Sequence, residues 1–378
     1  MQDEAGQPLS VRVWRAAAAA VCLAAALLFS GVGGAGVAHA QEPDGVNPLF
    51  SQIALEAPAQ NTAVDSQGRT WFTLPTVDKL AQINSQGLVV YYPVSAGGVP
   101  SGSAPYDLAI EDNTVWFTLL NYNNIGKLDM NTGTFTFYPI PTADSKPTGI
   151  SLGGGYVWFV ERAGDKLGRL NPDTGAIVEF YNWVVDSRNL VDMRGAQLED
   201  VAWSAGGVWI TGPTLKTSVA LYRIGENRFV PSPAGAGAAP MQIVVDSADN
   251  VWVTFSGLNM IGRSSVNTLG LWDFKPLSSG QGGPVGLFVR DNNGRRELWY
   301  TRPQLNHVGY LLINPSGATL STWESPMPTA DSAPWGIAVT PDNKVWIATS
   351  NSANAAVWSA PYFPLFLDMP VISYFLPK

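Results

Sequence analysis

The stretches TWFT (70–73), VWFT (115–118) and VWFV (157–160) repeat one pattern: an aliphatic or β-branched residue, then Trp, then Phe. Related tryptophans follow at 209, 252, 299 and 346, so that the seven are spaced by 45, 42, 51, 43, 47 and 47 residues. A period of about 46 residues is typical of four-stranded propeller blades rather than of helical repeats with a shorter period. The pattern therefore predicts seven blades, one for each tryptophan.

Each repeat contains four short β-runs, and no window has a helical period. In successive repeats these runs are an apolar strand such as YDLAI (106–110), the Trp strand, a third run such as KLGRLN (166–171) and an outer run such as FTFYPIP (135–141). Polar turns such as DSADN (246–250) separate the first two runs, with Asn, Asp and Gly where tight turns need them. We predict an all-β fold, a seven-bladed β-propeller of four-stranded antiparallel blades, in a single domain over residues 41–378.

The tryptophans have a physical role in such a ring. Inner blade strands are covered on both faces by neighbouring blades, so both alternating sets of side chains are apolar. Each indole is expected to fill the widening wedge between two blades, where burial contributes about 2–4 kcal/mol. Two segments are candidates for the strand that closes the ring, FSQIALEAP (50–58) and PVISYFLP (370–377), and the sequence does not choose between them.

Composition excludes one class of partner. Charged residues make up 14% of the chain, the net charge is −8 and no run of basic residues occurs. Non-specific nucleic-acid binding needs clustered Lys and Arg, so we expect no nucleic-acid partner.

Residues 1–40 differ from the rest. Arg12 and Arg15 precede the apolar run AAAAAVCLAAALLF (16–29), and small residues follow as far as VAHA (37–40). This order predicts a signal peptide cleaved after Ala40 and a secreted bacterial protein, because the run is short of the ~20 residues that span a bilayer. The alternative is an uncleaved anchor. The only cysteine, Cys22, lies in this run, so we expect a mature chain without disulfides. No later segment is long and apolar enough to span a membrane. We also expect the protein to be a monomer.

Strand direction places a candidate site. The first strand of every blade begins at the face that opens the central channel, and ligands commonly bind at such a mouth. We call the residues that begin these strands the mouth positions. They are Gln60, Tyr106, Thr148, Glu199, Met241, Val285 and Trp335. The candidate ligand-binding residues at or near them are Tyr106, Asp107, Tyr122, Glu161, Glu199, Asp200, Arg302, His307 and Trp335.

The acidic pair Glu199-Asp200 is the one candidate for holding a cation. Neighbouring strand residues point to opposite faces, so one of the two is expected to turn away from the channel. His307 is the only histidine of the mature chain and is the candidate catalytic residue. No Ser-His-Asp or Cys-His set and no zinc or phosphate-loop pattern occurs, so the residues themselves identify no metal or cofactor.

The repeat nevertheless resembles a known one. Residues 147–181, PTGISLGGGYVWFVERAGDKLGRLNPDTGAIVEFY, are similar to the repeat of the virginiamycin B lyase (streptogramin lyase) family, and the resemblance extends in seven copies over about 50–378. It implies a seven-bladed propeller, the linearisation of cyclic depsipeptides by elimination, and a magnesium ion. If the chain is an enzyme, the resemblance thus implies a carbon–oxygen lyase that uses Mg²⁺.

The resemblance also implies which residues such a lyase needs. The family base is the His of a Pro-His-Gly-Ile segment at the start of the last blade, and this chain has PWGI (334–337), with Trp335 in its place. The accompanying Glu corresponds to Ser350, or to Thr349 if the loop is read one residue shorter, and the second His corresponds to Val285. None of these can take a proton at neutral pH. His307 matches the Lys of the family's N-K-I-G segment and is the candidate for a relocated base.

These observations leave several functions open. The leading hypothesis is a non-catalytic propeller that binds a peptide, glycan or protein at the channel mouth. The alternatives are a divergent magnesium-dependent lyase, another metal-assisted propeller enzyme, and a surface assembly module.

Overall fold

The chain forms seven four-stranded antiparallel sheets arranged as the blades of a propeller. The computed structural model describes residues 50–182, 191–278, 282–292, 294–351 and 355–361. Six blades use four consecutive strands, and the seventh combines three late strands with the first strand of the chain. The predicted fold class is therefore confirmed, whereas the signal peptide over 1–40 and the stretch 370–377 lie outside the described residues.

The strands of the first three blades follow the order read from the sequence. They are β2 (Thr62–Val64), β3 (Thr70–Leu74), β4 (Lys79–Ile83) and β5 (Val89–Pro93); β6 (Pro105–Glu111), β7 (Thr114–Leu119), β8 (Asn124–Asp129) and β9 (Thr134–Pro139); and β10 (Pro147–Gly153), β11 (Tyr156–Glu161), β12 (Lys166–Leu170) and β13 (Ile177–Phe180).

Blades 4 to 6 repeat the same up-and-down order. Their strands are β14 (Val201–Ser204), β15 (Gly207–Thr211), β16 (Val219–Arg223) and β17 (Arg228–Ser232); β18 (Pro240–Val245), β19 (Asn250–Phe255), β20 (Met260–Ser265) and β21 (Asp273–Pro276); and β22 (Leu287–Asn292), β23 (Arg295–Arg302), β24 (His307–Ile313) and β25 (Thr319–Pro326). Short 3₁₀ turns occur at Val94–Gly97, Ile224–Glu226 and Pro303–Leu305. The described residues form no helix that is long and apolar enough to cross a bilayer.

Blade 7 shows how the ring closes. It contains β26 (Pro334–Val339), β27 (Lys344–Thr349) and β28 (Ala356–Pro361), and its outer strand is β1 (Ser51–Ala54), which pairs antiparallel with β28. The first strand of each blade contacts the first strand of the next, and β26 contacts β2. Of the two segments that the sequence left open, 50–58 therefore supplies the outer strand of blade 7.

The seven repeat tryptophans lie between blades, as the period predicts. All are at most 3% exposed. Each belongs to a separate apolar cluster that also contains residues of the following blade: Trp71 with Val115, Trp116 with Val157, and so on around the ring to Trp346 with Phe72. The indoles thus contribute to the apolar burial between blades, as the predicted wedge role requires.

A second contact, which we call the threonine clasp, joins the blades beside the channel. In five blades the second residue after the tryptophan is Thr, and its hydroxyl donates to the carbonyl of the next blade's mouth position at 2.6–2.9 Å. Val160 and Ala348 replace the Thr in blades 3 and 7. There the backbone N–H of Gly149 or Gly336 donates across to the next blade's mouth carbonyl at 3.0 Å instead. Every interface therefore has a polar link at the channel.

Candidate functional site

A β-bulge at the start of the first strand shapes the channel mouth in four of the seven blades. In blade 2, Pro105 pairs with Leu119 and Leu108 pairs with Phe117, so Tyr106 and Asp107 together face the single residue Thr118. Blades 3, 5 and 7 have the same register shift at their first strands. Because two residues oppose one, the usual alternation of side chains is broken there.

Glu199 and Asp200 differ in their contacts, although both border the cavity at the centre of the ring, as do Tyr106 and Asp107. The Asp200 carboxylate accepts an N–H of the next blade, from Ile243, whereas the Glu199 carboxylate contacts Tyr106 and Arg162. Both residues precede β14, which begins at Val201, and the expectation that one of the two turns away from the channel stays a prediction.

The central cavity is small, about 20 Å³. Five candidate ligand-binding residues meet at it: Tyr106, Asp107, Glu199, Asp200 and Trp335. The mouth positions Met241 and Val285 and two residues that the sequence did not single out, Asn61 and Gln242, complete the lining. A space of this size holds no more than water, so an organic ligand would rest on the mouth above it rather than pass into the channel.

The deeper carboxylates are used to join blades. Oδ1 of Asp107 accepts the N–H of Leu108, and Oδ2 accepts the N–H of Ile150 in the next blade, at 2.9 and 3.1 Å. Asp200 repeats the arrangement with Val201 and Ile243 at 2.8 and 2.9 Å. The buried Asp pair therefore has a structural role that explains its position.

Burial also changes the protonation of this pair. It raises the pKa of Asp107 to about 7, against the hydrogen bonds from Leu108 and Ile150, and the charge of Glu199 raises it further. Burial, followed by the negative charge of Asp107, raises the pKa of Asp200 well above its ordinary value. At neutral pH, Asp107 and Asp200 together therefore carry less negative charge than two ionised carboxylates would.

Above this Asp pair, three side chains from three blades form a connected group, which we call the mouth triad. The hydroxyl of Tyr106 in blade 2 donates to Oε1 of Glu199, which precedes blade 4, at 2.8 Å. Arg162, directly after β11 of blade 3, donates to the Tyr106 hydroxyl at 3.1 Å and also pairs with Oε2 of Glu199. Its guanidinium carbon lies 5.3 Å from the centroid of the Tyr106 ring.

The triad is partly open to solvent and is not basic. About 32% of the Arg162 side chain and 12% of the Glu199 side chain are exposed. Burial and the neighbouring Glu199 raise the pKa of Tyr106, so its hydroxyl stays protonated at neutral pH. The triad can therefore orient a ligand through charge and an aromatic surface, but its tyrosine cannot act as a proton acceptor.

The other four predicted residues lie elsewhere. Tyr122 packs against the apolar cluster between blades 1 and 2. Glu161 is fully buried below the loop that carries Arg162, and neither of its oxygens forms a hydrogen bond of good geometry. His307 begins β24 with its Nδ1 2.5 Å from the Leu305 carbonyl, outside the residues that line the central cavity.

Arg302 is as fully buried as Glu161. Its side chain has no exposed surface, and Nη1 lies 3.0 Å from both carboxylate oxygens of Glu324. Its Nε donates to the Gly282 carbonyl at 2.9 Å. These bonds fix the outer part of blade 6, and a contact of Arg302 with a ligand stays a prediction.

The positions that the family resemblance marks as catalytic hold other groups. Trp335 and Val285 line the central cavity. The hydroxyl of Thr349 donates to the Ala356 carbonyl at 2.6 Å, and that of Ser350 donates to the Ala333 carbonyl at 3.0 Å. These residues serve packing and loop structure.

The mouth does not fit a magnesium ion. The oxygens of Asp107 and Asp200 already accept backbone N–H groups. Throughout the part of the chain that the structure describes, no three His, Cys, Asp or Glu side chains are grouped to hold a metal. Magnesium needs several free oxygen ligands in near-octahedral geometry, whereas the carboxylates of this lining are engaged with N–H, O–H and guanidinium groups.

Arg162, Asn61 and Gln242 are the residues that sequence reasoning did not select for this site. Asn61 and Gln242 follow mouth positions directly, as Asp107 and Asp200 do, and Gln242 lies in the bulge of blade 5. Extending the mouth positions by one residue would have found both. Arg162 follows β11, the Trp strand of blade 3, whereas Tyr106 belongs to blade 2 and Glu199 precedes blade 4. Its contacts with these two residues show that it belongs to the mouth.

Comparisons with known proteins show what the chain is similar to. The model of the virginiamycin B lyase family matches residues 44–203. A curated virginiamycin B lyase from Nocardia farcinica (strain IFM 10152) is 26% identical over 243 residues, which cover 64% of this chain and 76% of that protein.

Solved structures agree with this at the level of the fold. Virginiamycin B lyase from Staphylococcus aureus superposes with a TM-score of 0.69 and 20% identity, covering 82% of this chain and 98% of that one. A catalytically inactive variant of the Staphylococcus aureus enzyme, with quinupristin, gives 0.69 and 21%, again covering 82% and 98%. A streptogramin B lyase structure gives 0.68 and 22%, covering 82% and 96%.

Proposed function

We propose that this virginiamycin B lyase-like propeller is a secreted, monomeric, non-catalytic binding protein that holds a peptide, glycan or protein ligand on its channel mouth. The observation that carries the proposal is the makeup of the mouth. Trp335 and Val285 occupy the positions where the resemblance implies histidines, and the tyrosine of the mouth triad keeps its proton at neutral pH. What remains is a surface suited to contact rather than to proton abstraction.

The triad supplies the means of recognition. The Tyr106 ring of blade 2 and the Trp335 indole of blade 7 offer aromatic area on the rim, with blade 1 between them, and such rings contribute much of the energy in binding sites. The partly exposed guanidinium of Arg162 is held by two hydrogen bonds and is therefore oriented before a ligand arrives. A ligand with an aromatic group and a hydrogen-bond acceptor matches this arrangement.

The test uses quinupristin, a cyclic depsipeptide, as a defined probe. In the presence of Mg²⁺ we expect the purified protein to bind it without chemistry. We expect calorimetry to show that Trp335→Ala weakens binding about tenfold or more. An exposed tyrosine away from the mouth provides the control, Tyr181→Ala.

Chromatography separates binding from catalysis. Elimination would break the ester C–O bond, move the α-proton to a base and yield an open-chain isomer with a new C=C bond and a free carboxylate. Magnesium-dependent formation of this isomer, abolished by His307→Ala, would overturn the non-catalytic proposal.

One observation favours a second candidate, a divergent lyase. Asp107 lies in the central cavity with its pKa raised to about 7 by burial, which places its titration near neutral pH. If elimination occurs and depends on this carboxyl, Asp107→Asn abolishes ring opening while His307→Ala leaves it intact.

Export is tested separately. Secretion with cleavage after Ala40 predicts that the protein recovered outside the producing cell begins at Gln41. Intact-mass measurement of the recovered chain checks this, and a mass that includes residues 1–40 would favour an anchor. Light scattering of the same sample tests the monomer.

A further inference from the structure

A second and much larger cavity lies on the outer side of blade 5. Its volume is about 940 Å³, within the range of about 300–1,000 Å³ typical of ligand pockets. Strands β20 and β21, the connection 266–272 between them, and the blade 6 turn at Asn314 and Pro315 form its walls. It shares no lining residue with the central cavity.

The wall formed by the connection 266–272 is held in place. The Gly270 N–H donates to the Ser232 hydroxyl at 3.1 Å, and the Trp272 indole N–H lies 3.4 Å from the Ser232 carbonyl in blade 4. The Trp272 ring also meets Phe255 edge-on, with centroids 4.9 Å apart. Next to it, Leu271 is 72% exposed. An aromatic and an aliphatic side chain are thus presented together on a supported loop.

The charges in and behind this cavity are balanced. The cations are Arg263, Lys275 and Arg296, and the carboxylates are Asp246, Asp273 and Asp291. Arg263 and Lys275 pair with Asp273 at 3.1 and 2.5 Å, and Arg296 pairs with the other two carboxylates at 2.8 and 2.6 Å. An anionic or cationic ligand would have to compete with these pairs, so the cavity favours a neutral one.

Two asparagines on the lining present opposite hydrogen-bonding groups. The amide nitrogen of Asn250 donates to Asp246 at 3.0 Å, which leaves its carbonyl oxygen to accept. The carbonyl oxygen of Asn314 accepts from Ala318 and Ser316 at 2.8 and 2.7 Å, which leaves its amide nitrogen to donate. A hydroxyl group is both donor and acceptor and so matches such a pair.

We propose that this cavity binds a neutral oligosaccharide. The apolar face of a sugar ring would contact Trp272 and Leu271, and its hydroxyls would bond to Asn250, Asn314 and the paired charge of Arg263 and Asp273. The site is distinct from the channel mouth, and the two bind independently.

The experiment measures affinity by calorimetry for three neutral trisaccharides, maltotriose, cellotriose and N,N′,N″-triacetylchitotriose, and for the anionic trisaccharide of galacturonic acid. We expect at least one neutral sugar to bind and the anionic one to bind more weakly. Ser265→Trp fills the cavity from β20 and should weaken binding about tenfold or more. Leu271→Asp alters an exposed rim residue that the fold does not need, and it should weaken binding in the same direction.

Matched controls make the result specific. Ser85→Trp places the same bulk in the corresponding turn of blade 1 and should leave sugar affinity unchanged. So should Trp335→Ala at the channel mouth. Absence of binding by all three neutral sugars, tighter binding of the anionic sugar, or equal affinity of wild type, Ser265→Trp and Leu271→Asp would each overturn the proposal, whatever the outcome with quinupristin.

Discussion

At the scale of single residues, the carboxyl of Glu161 is fully buried. Neither oxygen forms a hydrogen bond of good geometry, although Ser145 and Glu179 lie close to it. Burial, followed by the negative charge of Glu179, raises its pKa from 4.5 to about 8, although Lys166 acts in the opposite direction. A neutral carboxylic acid is therefore the form that the fold favours.

This gives a prediction for stability against pH. Because the folded pKa is raised, the folded state holds more protons than the unfolded chain between pH 4.5 and about 8, and the free energy of unfolding falls as pH rises through that window. Glu161→Gln removes this loss. Urea denaturation should show a gain of about 1–3 kcal/mol over wild type near pH 8.5 and almost none near pH 4.5.

The control is Glu111→Gln, which changes the same side-chain type at an exposed position. Its difference from wild type should stay small and independent of pH. If Glu161→Gln also differs from wild type by the same amount at both pH values, the carboxyl is ionised in the fold and the prediction is wrong.

At the scale of elements, the threonine clasp links the packing between blades to the shape of the mouth. Thr254 accepts the Gln242 N–H at 3.0 Å within blade 5 and donates to the Val285 carbonyl of blade 6 at 2.8 Å. One hydroxyl thus fixes both the bulge and the interface. Blades 3 and 7, with Val160 and Ala348, show that the chain replaces this link by a glycine N–H where Thr is lacking.

Removing one clasp should therefore cost stability without changing shape. Thr254→Val keeps the volume and deletes both hydrogen bonds, and we expect a loss of about 1–3 kcal/mol in chemical denaturation. The exposed Thr322→Val in β25 should change stability by less than about 0.5 kcal/mol. Equal effects of the two variants would show that the clasp contributes nothing.

The same elements show how far sequence reasoning reaches. Blade number, strand order and the wedge position of Trp71 and its equivalents follow from a period and an apolar pattern, which are properties of consecutive residues. The bulge at Tyr106 and Asp107 does not follow, because one extra residue in a strand leaves no compositional mark and reverses the facing of its neighbours. The contact of Arg162 with Glu199 was also out of reach, since it depends on the angle between separate blades.

At the scale of the whole molecule, the ring is held closed by pairing between its two ends. Gln52 and Ile53 of β1 pair with Trp358 and Val357 of β28, and no covalent bond reinforces this joint in a chain whose only cysteine is Cys22. Without β1, blade 7 would expose the edge of β28.

A truncation series tests this joint. A chain that begins at residue 41 should unfold at the same temperature as the full-length protein. A chain that begins at residue 56 lacks β1 and should melt several degrees lower and aggregate, because it has an open sheet edge. Equal melting temperatures of the two shortened chains would mean that the joint is not needed for closure.

Because the first strand closes the ring, closure is delayed until translation is almost complete. A strand made at the start of translation waits for a partner made near the end, since Ser51 and Ser359 are 308 positions apart. At about 5–20 residues per second, a ribosome takes roughly 15–60 s to produce the intervening polypeptide. During that interval the early blades can assemble on one another, but the ring stays open. Strand β1 then has no partner strand and remains accessible to chaperones.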